Sequence, residues 1–276
     1  MKAKVIIPIV IVGALLLAAG GTVLAFGIKN GSQNNPTSQK EHPVGDYSKI
    51  KIDIDTADLE FKVSEDSSNK VVVVEKEKRY HTVEVKDDTL TITAVDARKW
   101  HERFFDFDWS RLKVTIYAPA KEFASATIKS STGDLIIPSD YSFQNLNLDL
   151  STGDIDLKSD VKEELAIESS TGDVNLEMEG KKIGVKVSTG KVNLKNVTGE
   201  EIKIKSSTGD VKLTDCDASN LIDIETSTGD VNAVLLSGKT FEAKTSTGIN
   251  DVPPSTAGAP ICRIKTNTGD IRVTVK

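Results

Sequence analysis

Two cysteines, three histidines and 5% aromatic residues leave this 276-residue chain short of the side chains that usually carry chemistry. Cys216 and Cys262 lie far apart, without the close spacing of a zinc or redox motif. His42, His81 and His101 share no ligand spacing either and read as surface residues. A basic excess is missing as well. Lys and Arg number 35 against 41 Asp and Glu, the net charge is −6, and no cationic stripe with interleaved aromatics is present, which excludes nucleic acid as a natural partner. No catalytic residue, cofactor-binding residue, metal ligand or cofactor is expected.

Long hydrophobic runs are absent with one exception. After Lys2 and Lys4, an apolar stretch extends from Val5 to Ile28. As a helix these 24 residues would rise about 36 Å, enough for a hydrocarbon core of roughly 30 Å. Small residues at Ala18 to Gly21 offer a cleavage site, but Val23, Leu24 and Phe26 carry the apolar run onward. Residues 1–28 are therefore expected to be a signal-anchor helix, with cleavage as the alternative. The two lysines should stay cytoplasmic and the remainder should lie outside, as a single-pass membrane protein or, after cleavage, a secreted one. Residues 29–45 are polar without an aromatic and read as a flexible stalk.

An internal repeat dominates the rest of the chain. Thr-Gly pairs recur at Gly133, Gly153, Gly172, Gly190, Gly209, Gly229, Gly248 and Gly269, at intervals of 18 to 21 residues. Asp follows six of these glycines; Lys191 and Ile249 are the exceptions. Five residues before each glycine stand Ile128, Leu148, Ile167, Val185, Ile204, Ile224, Ala243 and Ile264. Two residues after come Leu135, Ile155, Val174, Val192, Val211, Val231, Asn250 and Ile271, with a further apolar residue two beyond in each case. Polar residues fill the places between. That alternation predicts a half-buried strand, a tight Ser-Thr-Gly-Asp turn and a second strand in every repeat. Glycine suits the turn because a left-handed backbone is cheap only without a Cβ. A single unit cannot bury its apolar face, so the repeats must stack.

The expected fold is all-β: a parallel β-solenoid, a single-stranded β-helix of about 19-residue rungs, right-handed by the general preference of strand crossovers. The regular part covers 121–276. Residues 46–120 form its irregular N-terminal part, with an early rung at Ile52 to Phe61 and a hairpin at Asp87-Asp88. Asp251 to Pro260 is an inserted loop, after which a last rung closes the chain.

With the Ile52–Phe61 start, the Asp88-Thr-Leu-Thr-Ile92 strand, the Val114-to-Pro119 run and the Ser-Thr-Gly-Asp rungs from Ser130, the chain resembles a bacterial family described as putative adhesins with β-strand repeats, a domain of unknown function. The resemblance covers about residues 46–276. It implies a solenoid at the bacterial envelope, in a family linked to adhesion or envelope stress, and brings no catalytic residues.

Three features remain as candidate sites. The Asp column, Asp134, Asp154, Asp173, Asp210, Asp230 and Asp270, should stack at ~4.8 Å intervals; turn chemistry accounts for it better than cation binding, since Ca²⁺ needs six to eight oxygens. Five aromatics crowd into Trp100 to Trp109, namely Trp100, Phe104, Phe105, Phe107 and Trp109. They either close the open N-terminal end or form a partner-binding or membrane-contacting loop. Cys216 and Cys262 sit at different angles round the coil and read as small buried hydrophobes rather than a disulfide. The expected function is a non-enzymatic surface module, tethered to its own membrane through residues 5–28 and binding an envelope protein, a cell-wall polymer or a host surface. The alternatives are a component of the envelope-stress response that acts through another membrane protein and, further off, a glycan-cleaving β-helix enzyme.

Overall fold

The computed structural model of the chain describes residues 37–100 and 112–276, and every regular element longer than one residue within them is a strand. The predicted membrane segment therefore lies outside the described residues. Among those described, no helix is long and apolar enough to cross a membrane.

The repeat builds rungs of one strand on each of two ladders, with the Thr-Gly turn between them. From the middle of the chain these rungs are β8 (Glu122–Thr132) with β9 (Leu135–Ile137), β10 (Ser142–Thr152) with β11 (Ile155–Leu157), β12 (Asp160–Thr171) with β13 (Val174–Leu176), and β14 (Glu179–Thr189) with β15 (Val192–Lys195). Next comes β16 (Thr198–Thr208), which turns into the long β17 (Val211–Thr228). The first half of β17 completes that rung, and its second half opens the following one, closed by β18 (Val231–Leu235). Pairing is parallel throughout this run and largely in register, so equivalent side chains stack directly. The column five before the glycine runs Ile128, Leu148, Ile167, Val185, Ile204 and Ile224, all buried. Each such side chain contributes about 1.5–3 kcal/mol on burial, and a rung supplies several. Alternation is thus a sound guide to the core.

Both ends depart from sequence order. At the far end β19 (Thr240–Thr247) and β20 (Asn250–Asp251) do not follow β18 in space. The last rung, β21 (Ile261–Thr268) with β22 (Ile271–Val275), is inserted between them: β21 pairs with β17 on one side and β19 on the other, β22 with β18 and β20. The expected closure by the last rung is corrected accordingly. The 240–251 rung is outermost, because the 252–260 loop returns the chain into the stack. At the near end β2 (Lys49–Thr56) and β3 (Asp58–Val63) lie between the β8–β9 rung and a rung formed by β6 (Thr89–Asp96) and β7 (Lys113–Ala118). The early rung at Ile52–Phe61 is therefore interior, with Ile52 stacked between Ile92 and Ile128.

Antiparallel strands finish this near end. β5 (Arg79–Lys86) pairs with β6 through the expected hairpin, whose Asp87 and Asp88 both have positive φ, as a two-residue turn of this kind requires. β4 (Lys70–Glu75) pairs with β7, and β1 (Ser38–Pro43) with β4. The second half of the expected stalk, residues 38–43, is therefore a strand. Composition misleads there because β1 is held by backbone pairing and ion pairs rather than by apolar burial.

Candidate functional site

The Ser-Thr-Gly-Asp edge is the most repetitive surface of the molecule, and its geometry assigns a job to each residue. The turn glycines have φ between +138° and +149°, and a Cβ on Gly172 would lie 2.0 Å from the carbonyl oxygen of Gly153. Successive turns thus approach too closely for any side chain. Each turn glycine inside the stack donates its N–H to the Thr carbonyl of the next turn, as from Gly153 to Thr171 at 2.9 Å and Gly172 to Thr189 at 3.0 Å. The Asp carboxylates form a second ladder. Asp134 Oδ1 accepts the N–H of Asp154 at 3.0 Å, Asp154 that of Asp173 at 2.8 Å, and Asp173 that of Lys191 at 2.8 Å. Lys191 carries no acceptor, so the series breaks there and resumes from Asp210 to Asp230 to Asp270 to Ile249. The carboxylate ladder follows the swapped order of the last two rungs. The column's carboxylates receive backbone N–H groups, and no cluster of His, Cys, Asp and Glu suited to a metal occurs among the described residues.

The rung that ends the stack also explains a departure from the repeat. Asn250 stands where an apolar residue is expected, and its side chain donates to the Ala243 carbonyl at 3.0 Å. Ser255 Oγ accepts the N–H of Phe241 at 2.9 Å. Both bonds occupy edge groups of β19 that another strand could otherwise pair with. Below them, Lys239 is fully buried, with its ammonium bonded to Asp217, Ser237 and the Ala218 carbonyl. Cys216 and Cys262 are free and buried, and burial pushes the Cys262 thiol up to about 12, which leaves it unreactive.

The near end holds the clearest polar cluster. Glu75 is only 1% exposed, yet it is ionised. Burial alone would raise its pKa, but hydrogen bonds from His81 and the Lys40 ammonium outweigh that and bring it to about 2. The His81 N–H donates to Glu75 Oε2 at 2.9 Å, its Nδ1 lies 3.8 Å from the same oxygen, and Lys40 Nζ reaches Oε1 at 2.5 Å. Burial lowers the pKa of His42, with Glu75 opposing and Lys40 and His81 assisting. The expectation that the histidines are surface residues is corrected for His81, which is 5% exposed on the inward side of β5; His101 lies outside the described residues. A cavity of about 230 Å³ opens beside this cluster, lined by Asp55, Arg79, Tyr80, His81 and Asp96 among others.

Of the aromatic loop, Trp100 is described and is 75% exposed; Phe104, Phe105, Phe107 and Trp109 lie outside the described residues. Sequence reasoning misses a second aromatic group. Tyr47, Phe61, Phe123, Tyr141 and Phe143 pack inside the first rungs, with Phe123 and Phe143 centroids 5.4 Å apart. Lys121 covers the Tyr47 ring at 4.4 Å and donates to the Tyr47 carbonyl at 2.8 Å. Their inward phase on alternating strands is the available signal.

This architecture matches the family described as Toastrack DUF4097 over residues 47–274. The chain belongs to that family. Among solved structures it is similar to a "putative adhesin" from Bacteroides fragilis NCTC 9343, at 20% identity and TM-score 0.56, covering 88% of this chain and 98% of the other. A "putative adhesin" from Parabacteroides distasonis ATCC 8503 matches at 18% identity and TM-score 0.55, covering 87% and 98%. At such identities the likeness is one of fold. No curated protein matches the chain in sequence.

Proposed function

We propose that this Toastrack protein is a non-enzymatic surface module, a stiff β-stack held outside a bacterial membrane by residues 5–28, where it binds other surface components. The observation that carries the reading is the use made of the repeat. Its glycines and aspartates, the residues most suggestive of chemistry, are engaged in joining rung to rung. A catalytic site breaks a repeat at one place; here the departure at Asn250 binds an edge carbonyl of its own rung instead. The descriptions of the Bacteroides and Parabacteroides proteins as adhesins agree with this role.

The test is protease treatment of intact cells expressing the full chain, followed by binding of the displayed protein to foreign cells and to envelopes of its own cells. Degradation in intact cells with binding to foreign surfaces supports an adhesive display role. Protection from protease overturns the external placement. Binding confined to the cell's own envelope proteins would replace adhesion with the stress-response role.

A further inference from the structure

We infer that the outward face of strands β8, β10, β12 and β14 holds a binding groove for an uncharged glycan chain. The inference deepens the surface-binding role proposed above, on which it rests, by naming a ligand class and the residues that receive it.

The inward phase of these strands builds the core, so the residues between face solvent. Six residues before the turn glycine, the outward column runs Thr127, Asn147, Ala166 and Gly184 from β8 to β14. It continues as Lys203, Asp223, Arg263 and Glu242 over the rungs beyond. In that second set long charged side chains cover the sheet and pair among themselves. Lys203 meets Glu201 at 2.6 Å, and Arg263 meets Asp223 at 3.8 Å and Glu242 at 2.9 Å. In the first set the column is short. A groove of about 220 Å³ lies over it, lined by Ser125, Thr127, Asn145, Asn147, Glu164 and Ala166 among others.

Gly184 is the informative residue. Its φ is not positive, and an added Cβ would meet only the Leu165 carbonyl oxygen, at an ordinary 3.5 Å. Neither the backbone nor the packing calls for glycine there, unlike in the turns, and glycine weakens a strand interior. A bare place on a strand suits the close approach of a ligand to the sheet. Ala166, the register partner of Gly184 on β12, continues this floor. From Thr127 to Gly184 the floor takes three inter-rung steps, about 14 Å, room for a short run of sugar rings.

The lining chemistry selects the ligand. The side chains of Ser125, Thr127, Asn145, Asn147 and Glu164 make no hydrogen bond or ion pair among the described residues, so their polar groups are open to a ligand. Hydroxyls and primary amides both donate and accept, as sugar hydroxyls do. Charges in the columns flanking the floor balance: Lys129, Lys182 and Lys186 stand against Asp149, Glu164 and Glu168. Lys129 lies 3.8 Å from Asp149, and Lys186 lies 3.6 Å from Glu168. The adjoining β2 rung adds Lys49, Lys51 and Asp53, while at the corner Lys162 is joined to Glu122 and Lys181 to Glu163. A face so balanced offers no field to a polyanion. Its backbone groups are already paired within the ladder, which leaves an extended peptide no strand edge to join. A hydroxyl-rich, uncharged chain is the ligand that fits.

The experiment uses the full chain in a sugar-free detergent. Chitohexaose, cellohexaose and maltohexaose are the neutral probes, a galacturonate hexamer is the anionic control, and binding is titrated by saturation-transfer NMR. At least one neutral hexamer should bind about tenfold or more tightly than the galacturonate hexamer. Gly184→Gln sets a side chain on the floor where the backbone accepts one. Its thermal midpoint should not fall, while its affinity for that hexamer drops about tenfold. Asn147→Ala should lower the affinity about fivefold. Failure of the parent to bind any neutral hexamer, tighter binding of the galacturonate hexamer, or undiminished affinity in Gly184→Gln would each overturn the inference. None of these outcomes bears on external display, which the protease treatment tests separately.

Discussion

The two ends of the stack solve one problem in different ways. A parallel coil exposes an unpaired edge at each end, and such edges recruit other strands. At the far end the chain keeps the repeat and changes individual side chains: Asn250 and Ser255 bind the edge groups of β19. At the near end it abandons the repeat, adding antiparallel β1, β4 and β5 and burying a charged carboxylate beneath them. At both ends the outermost rung is clamped by a neighbour from elsewhere in the sequence. The interior needs neither device, since each turn is fixed by the one beside it. The interior should therefore be intolerant of shape changes, the near end sensitive to pH, and the far end sensitive to the polarity of a few edge residues.

The largest effect is expected in the interior. Gly172→Ala puts a methyl 2.0 Å from the Gly153 carbonyl oxygen at a φ of +140°. Strain and displacement together should cost about 3 kcal/mol or more, read by denaturant unfolding. Gly258→Ala is the control, since Gly258 also has positive φ, +76°, but no atom within 4 Å of the added Cβ. It should cost about 1 kcal/mol. Equal losses would mean that backbone conformation, not close approach, sets the glycine requirement.

At the near end acid is the probe. Glu75 has its pKa lowered to about 2 in the folded protein, from the ordinary carboxylate value of 4.5. A depressed carboxylate stabilises the fold above its unfolded pKa and loses that contribution as pH falls through the folded value. Up to about 3 kcal/mol should therefore disappear between pH 4.5 and 2. His42 acts in the same direction at higher pH. Its folded pKa is lowered, so protonation below its usual 6.5 also favours unfolding. Amide exchange should show β1 loosening first as pH falls, with the interior rungs still protected. Simultaneous loss would show that β1 is part of a single cooperative unit.

At the far end Asn250→Val should have a smaller effect on stability, about 1 kcal/mol from the lost bond to the Ala243 carbonyl. Its larger consequence is association, because it extends the apolar column of Val231 and Ile271 to the open edge. Sedimentation should detect end-to-end assembly of the variant and not of the parent.

The rungs are legible in the sequence because each is defined by local alternation and a turn glycine. Their order in space is not. Any rung offers its neighbour the same backbone edge and much the same apolar columns, so the differences of the 240–251 rung from the 261–275 rung, such as Ala243 for Ile264, Ile249 for Asp270 and Asn250 for Ile271, do not by themselves say which is outermost. In the sequence Ile249 and Asn250 are departures without a visible partner; in the fold the Asn250 side chain binds the Ala243 carbonyl of its own rung and the Ile249 N–H binds Asp270 of the next. The β1 strap is hidden because Ser38 to Pro43 contains no apolar pattern. The burial of His81 is readable, since it continues the inward phase of Val83 and Val85 opposite Ile92 and Leu90.

The smallest effect separates the turn role of the Asp column from cation binding. In Asp173→Asn the side-chain oxygen can still accept the Lys191 N–H, now held at 2.8 Å, while the charge is removed. Carboxylates one rung apart repel by about 1 kcal/mol in water-like surroundings, and the neighbouring Lys191 offsets part of that. The substitution should therefore change stability by less than about 0.5 kcal/mol. Asp173→Ala removes the acceptor as well and should cost about 1 kcal/mol. Equal losses for Asn and Ala, with added Ca²⁺ stabilising the parent alone, would show that charge is what the column supplies. Near-neutral Asn with destabilised Ala would show that each carboxylate serves to receive the N–H of the next turn.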